Sequence, residues 1–277
     1  MNKIIKTLVF ISSLAFGQQA LAAACSAEPI TGIDDCWTVP DTYTITLYEM
    51  GVCNDIRDQV ATVPDLSSKC QTAYTNTTGS TVAVENNVTV EHSGGTTTRP
   101  VENTYAYGFI KVDAKLILKN ESTFEAARDG SAGGVGTTCW TNGVALDPGP
   151  TTTCGNAVDA NPQNMDVLIK DLGCAGGPQN SFYCRYEGDA EGLDDTYAWL
   201  VDANGNASTN PNYSETAGDV KYLIGIAKFN ESKTVNTAST GMQAQFRVTR
   251  GLTLDFADNT IAFGLQEFKV VTTITTE

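Results

Sequence analysis

The chain has one histidine in 277 residues, His92, and it contains no Cys-x-x-Cys pair and no Gly-x-Ser-x-Gly. Those gaps leave serine and cysteine nucleophiles a single candidate imidazole base, on a predicted strand end, and remove the dithiol of redox enzymes and the usual zinc ligand sets. Basic residues are scarce as well: 17 Lys and Arg stand against 32 Asp and Glu, a formal charge of −15. Such a chain repels phosphate backbones and anionic headgroups, so nucleic acid is not an expected partner and the acidity reads as a solubility device. Beyond the first residues no stretch holds 18 consecutive apolar positions, so no later segment is expected to cross a membrane. Helix signals are thin. The clearest, "NDIRDQVATV" from Asn54 to Val63, predicts a turn or two with Asn54 as N-cap.

What is present begins with an export signal. Lys3 and Lys6 precede the apolar run "LVFISSLAF" (Leu8 to Phe16), followed by Gln18–Gln19 and the small residues "ALAAA". Basic, apolar, polar and small is the order of a secretory signal over residues 1–24. The residue after it, Cys25, raises the alternative of a lipoprotein anchor. Such signals carry Leu three positions before the cysteine, where this chain has Ala22. Ordinary cleavage near Ala22 to Ala24 is therefore expected, giving a secreted, extracellular or cell-surface protein, with the periplasm as a further destination.

Eight cysteines remain: Cys25, Cys36, Cys53, Cys70, Cys139, Cys154, Cys174 and Cys184. An even count in an exported chain implies disulfides. Taken in order, neighbours are 11, 17, 15 and 10 positions apart, with polar segments between them. Short loops close at low entropic cost, which favours Cys25–Cys36, Cys53–Cys70, Cys139–Cys154 and Cys174–Cys184. Each bridge of this span is worth roughly 3 kcal/mol on the loop-entropy account.

The apolar pattern has period two. In "YTITLYEMGVC" (Tyr43 to Cys53), Tyr43, Ile45 and Leu47 share one face. "STVAVENNVTVEH" (Ser80 to His92) alternates around Asn86–Asn87, a hairpin turn or a bulge. From Thr104 to Lys119 a long strand puts Ile110, Val112, Ala114, Leu116 and Leu118 on one side and Lys111, Asp113 and Lys115 on the other. Further strands are expected over Val220 to Phe229, around Met242 to Val248, in a hairpin turning at Asp258–Asn259, and from Phe268 to the end. Alternation with one wet face predicts an all-β fold, an antiparallel β-sandwich or jelly-roll-like framework. The expected organisation is an N-terminal arm (25–42), a first part of the sandwich (43–123), a Cys/Gly/Pro-rich insertion or small second lobe (124–218), and C-terminal strands that complete the sandwich (219–277).

The run "TVPDTYTITLYEMGVC", with its strand motif from Tyr43 to Cys53, a second cysteine and a polar β segment behind it, resembles the start of uncharacterised secreted β-sandwich proteins of marine bacteria. The resemblance covers residues 37 to 120 and implies export and a β fold, but no activity.

Candidate sites are few. Asp202, Asn204 and Asn206 ("DANGN") match the first half of a calcium loop, yet Ala207 stands where glycine is expected and no glutamate closes the loop. A plain Asn204–Gly205 turn explains the same residues. "EGDAEGLDD" (Glu187 to Asp195) is either a solvated loop or a second calcium candidate. No other cofactor is expected. Trp140 and Trp199, with Trp37, Tyr105 and Tyr107, form either a glycan-stacking platform or core. Six Asn-x-Ser/Thr triplets, at Asn76, Asn87, Asn120, Asn206, Asn212 and Asn230, read as Asn/Thr-rich loops.

The functional expectation is a non-enzymatic structural or surface protein, in its sharper form a filament or surface-layer subunit that self-associates by β-strand addition. Phe268, Val270, Val271 and Ile274 of the last strand are the candidate assembly residues, with the N-terminal arm as an alternative donor. An extracellular glycan- or polymer-binding module is the alternative, and a carboxylate-dependent hydrolase, which needs two facing acids, is third.

Overall fold

Period-two runs become strands throughout the computed structural model, which describes residues 23–56, 65–84, 88–90, 94–144, 151–169, 183–186, 196–207, 220–265 and 269–276. The expected signal segment up to residue 22, His92, Cys174, Phe268 and the acidic run 187–195 lie outside the described residues. In chain order the strands begin with β1 (Ala23–Ala24), β2 (Cys36–Thr38), β3 (Thr42–Cys53), β4 (Cys70–Val84), β5 (Val88–Val90) and β6 (Thr96–Thr97). Next come β7 (Asn103–Asp113), β8 (Lys115–Lys119), β9 (Glu121–Gly130), β10 (Val135–Thr141), β11 (Thr152–Gly155) and β12 (Met165–Leu168). The last are β13 (Tyr183–Tyr186), β14 (Thr196–Val201), β15 (Tyr222–Val235), β16 (Ser239–Arg247), β17 (Leu252–Ala257), β18 (Thr260–Leu265) and β19 (Lys269–Thr276).

These strands form a seven-stranded sheet (β1-β2-β17-β18-β9-β10-β11), a nine-stranded sheet and a small three-stranded sheet (β19-β16-β5). Pairing is antiparallel except at β1–β2 and β18–β9. The all-β sandwich expectation therefore holds. In the nine-stranded sheet β3 pairs with β4 along one edge and with β7 and β8 along the other. The long strand read from Thr104 to Lys119 is thus a single path interrupted at Ala114. There Ala114 N donates to Lys221 O, and its own carbonyl accepts from Ile169 N, so the outer edge of that path passes from β15 to β12.

The principal core lies between the two large sheets. Tyr43, Ile45 and Leu47 of β3 and Ile110, Val112, Leu116 and Leu118 of β7–β8 are all buried in it, on the face assigned from alternation. Phe124, Leu254, Ile261 and Phe263 meet them from the seven-stranded sheet, and Ala244 and Phe246 from β16. A second cluster occupies the opposite face of the nine-stranded sheet, where Tyr107, Phe109, Tyr197, Trp199, Ile224 and Ile226 pack around the half-cystines Cys53 and Cys70. The expectation of one wet face fails here. "YAYGF" and "YAWLV" are near-continuous apolar runs, the pattern of strands covered on both sides. Where β3 pairs with β4 the backbone needs Gly51, because a Cβ there would lie 2.2 Å from the Gln71 carbonyl oxygen.

Three expected disulfides are formed: Cys25–Cys36, Cys53–Cys70 and Cys139–Cys154. Cys174–Cys184 cannot be compared, since Cys174 is not among the described residues. Three bridges fit a chain that folds outside the reducing cytoplasm. Among the described residues no helix is long and apolar enough to cross a membrane.

Three local readings are corrected. The described strands of 124–218 are not a second lobe: β9, β10 and β11 belong to one large sheet and β12, β13 and β14 to the other. The segments on either side of Asn86–Asn87 do not pair with each other; β4 runs along β3 while β5 joins β16. Most of the turn expected from Asn54 to Val63 lies outside the described residues; α1 (Leu66–Lys69), which follows it, is capped by Asp65, whose carboxylate accepts from Ser67 N at 3.0 Å. Asn76 and Asn120 are buried rather than set in open loops. Asn120 is tied in by Asp41 N (3.3 Å) and donates to the Ser122 hydroxyl (2.8 Å). The hairpin at Asp258–Asn259 stands as read, with Ala257 opposite Thr260.

Candidate functional site

Strand addition requires an edge, and the three-stranded sheet provides one at the C-terminal strand. Its centre is β16, where Ala244 and Phe246 are buried, as is Val248 just beyond it, in keeping with alternation. One side of β16 takes β5 through Ala244 opposite Val90. The other takes β19 in antiparallel register from Arg247–Lys269 to Ser239–Thr276, with an irregularity at Thr240. Val270 packs against the main core, and Ile274, with Met242, against the cluster of Val52, Tyr105 and Val235. Val271 pairs with Gln245. The assembly candidates Val270 and Ile274 thus already serve their own chain. Among the described residues, the outer edge of β19 faces no further strand.

The N-terminal arm is docked on its own sheet. Cys25–Cys36 closes it, β2 pairs with β17, and Ile30 is buried, exchanging hydrogen bonds with Thr123 O (2.8 Å) and Glu125 N (3.0 Å). The buried Arg128 donates to Gly32 O at 2.9 Å and to Asn259 Oδ1 at 3.3 Å. Its guanidinium lies 5.9 and 5.4 Å from the ring centres of Phe124 and Phe256. The arm is therefore anchored at both ends, which argues against it as the free donor considered above.

The aromatic platform is not built from the residues the sequence nominated. Trp199 is 1 % exposed and stacks on Tyr197 with ring centres 6.0 Å apart, while Trp140 is 8 % exposed. Neither offers a ring face to a sugar. Tyr105 and Tyr107 are buried too. Trp37 remains half-buried, with the Arg250 guanidinium 4.9 Å from its ring.

Asp202, Asn204 and Asn206 do come together, as a turn. Gly205 takes a left-handed φ of 84°, and the Asp202 carboxylate accepts from Asn204 N and Asn206 N, both at 2.8 Å, and from Asn206 Nδ2 at 3.2 Å. Those donors, led by the Asn206 amide, hold its pKa below the usual carboxylate range. The carboxylate that a calcium ion would need caps the turn instead.

Two polar groupings escaped the sequence reading. On the nine-stranded sheet, Tyr48 and Tyr222 meet edge to face at 4.9 Å. Lys111 bonds Glu49 at 3.0 Å with its ammonium 4.5 Å from the Tyr222 ring centre, and Lys221 bonds Asp113 at 2.5 Å. The Asp113 bond raises the Lys221 pKa, so this is an ordinary ion pair of charged partners. The second grouping lies at the seam between the arm and β17. There β2 pairs Thr38, Trp37 and Cys36 with Leu252, Thr253 and Leu254, and the next step of that register sets Asp35 opposite Asp255. Asp35 Oδ1 accepts from Phe256 N at 2.8 Å. The Asp255 side of this pair retains surface exposure, yet Oδ2 lies only 2.9 Å from where a Cβ on Gly264 would sit. Desolvation, then the Asp35 charge, push Asp255 up to about 6, against a hydrogen bond from Thr253.

No family model, curated protein or solved structure matches this chain.

Proposed function

We propose that this chain is a secreted, non-enzymatic structural subunit that self-associates by β-strand addition at its C-terminal strand. The supporting observation is the character of β19. Natural edge strands are blunted by charge, proline, bulges or shortness. "KVVTTITT" has eight residues, a single charge at its first position and neither proline nor glycine. An unprotected edge of this kind favours a backbone-paired neighbour. Both large sheets are packed and three disulfides clamp the chain, which suits a load-bearing unit. The acid couple of a hydrolase has no counterpart in the Asp35–Asp255 pair: these are cross-strand neighbours on a seam, and Asp35 is committed to the Phe256 amide.

Wild-type mature protein is expected to sediment as oligomers or filaments at high concentration and to show fibres in negative stain. Deleting residues 268–277 should abolish assembly, though it also strips β16 of a partner. Thr275→Lys is the cleaner variant, because the Thr275 hydroxyl accepts from the Thr240 hydroxyl at the surface (3.2 Å), on the face of β19 away from Val270 and Ile274. It should give monomers with an unchanged far-ultraviolet spectrum. A wild type that stays monomeric, or a T275K variant that still polymerises, rejects the reading.

A further inference from the structure

We propose that the N-terminal arm is a pH-responsive strap whose docked seam with β17 is weakened at neutral pH by the facing carboxylates of Asp35 and Asp255 and tightens in mild acid. The arm is anchored on both sides of the seam, at Ile30–Gly32 through Thr123, Glu125 and Arg128, and at Cys36–Thr38 through the β17 ladder. Between the two anchors the backbone pairing stops. The last paired residues are Cys36 and Leu254, although β17 itself continues to Ala257. Like charges directly opposite one another on antiparallel strands are destabilising, and the ladder ends where that opposition begins.

Among the described residues no cation forms an ion pair with Asp35 or Asp255; Arg250, on the same face, packs over the Trp37 ring. The arm contributes Asp34 beside Asp35, and β18 presents Ala262 opposite Asp255 with Gly264 alongside. On β17 itself, Thr253 donates to Asp255. Arg128 packs on the Phe256 ring, and alternation puts that ring on the other face of the strand from Asp255. Protonation of one carboxylate is therefore the available relief.

The sign follows from linkage. Desolvation first, and the Asp35 charge second, push Asp255 up to about 6 in the folded chain, against about 3.9 when unfolded. Between those values the folded form binds the extra proton, so the fold gains stability as pH falls through the window and loses it as pH rises, and the docked seam carries the share of this that the Asp35 charge supplies. This is opposite to the usual acid-labile aspartate. The inference does not depend on whether the chain assembles.

Amide hydrogen exchange of the intact protein, corrected for intrinsic rates and compared at pH 7.5 and 4.5, tests it. Protection of the Cys36–Thr38 and Leu252–Phe256 amides should rise about tenfold in acid, a two-unit separation discounted for the exposure of Asp255. Asp255→Asn should show the high protection at both pH values. Asp35→Asn, which keeps an oxygen for the Phe256 amide, should shift the transition to lower pH. A flat wild-type profile at these amides overturns the proposal, as does a transition that persists unshifted in both variants.

Discussion

Trp199→Ala is expected to lower the unfolding free energy by about 3–5 kcal/mol, the range for emptying a large aromatic site in a core. The reason is position. Trp199 lies on β14, between β13 and β15, with Tyr183 and Ile224 opposite it in the two registers. Its ring fills the second cluster against Tyr197 and beside Phe109 and Ile226. A strand buried on both faces cannot collapse onto the vacancy without disturbing its neighbours, so little of the loss is recovered. Urea unfolding followed by fluorescence and circular dichroism measures it, with Trp37→Ala as control. Trp37 is half-buried against Arg250, and its loss should cost about 1 kcal/mol, the scale of one exposed cation–π contact plus partial burial. Equal costs for the two variants would remove the case for a second core. The same experiment bears on glycan binding: any sugar affinity that survives in soluble Trp199→Ala protein must come from other rings.

The second large effect is expected at the Cys139–Cys154 bridge. The two half-cystines face each other across β10 and β11, both buried, and close a 15-residue separation. Removing that closure in Cys139→Ala/Cys154→Ala should cost roughly 3 kcal/mol through the freedom regained by the unfolded chain. Because both sulfurs are shielded, dithiothreitol should reduce this bridge in the native protein only as fast as β10 and β11 separate, and far faster once urea has unfolded the chain. The observables are the denaturation midpoint and the time course of thiol release. Rapid reduction under native conditions would place the bridge at the surface and contradict its burial.

Much of the scaffold was legible because it depends on near neighbours. Alternation along Tyr43 to Leu47 and from Ile110 to Leu118 named the buried face correctly, since side chains on a strand point by turns to opposite sides whatever lies beyond. The Asp258–Asn259 and Asn204–Gly205 turns were equally local. So were three disulfides, where closing a short loop is the dominant entropic consideration. The misreadings share a cause. The second-lobe alternative for 124–218, the pairing around Asn86–Asn87 and the choice between platform and core for Trp140 and Trp199 all required knowing which sheet a strand joins.

By itself, then, the order of residues determined that this chain makes strands, which face of most of them is apolar, and which cysteines close short loops. Only the tertiary structure decided that β7, β14 and β15 are covered on both sides, that the last strand rests as an edge on β16, and that Asp35 meets its neighbours on β17. The hydrogen bond that shows this seam joins residues 221 positions apart. No periodicity reaches across that distance, because strand alternation carries no information about the partner strand, and like charges come face to face only when two remote segments share one ladder.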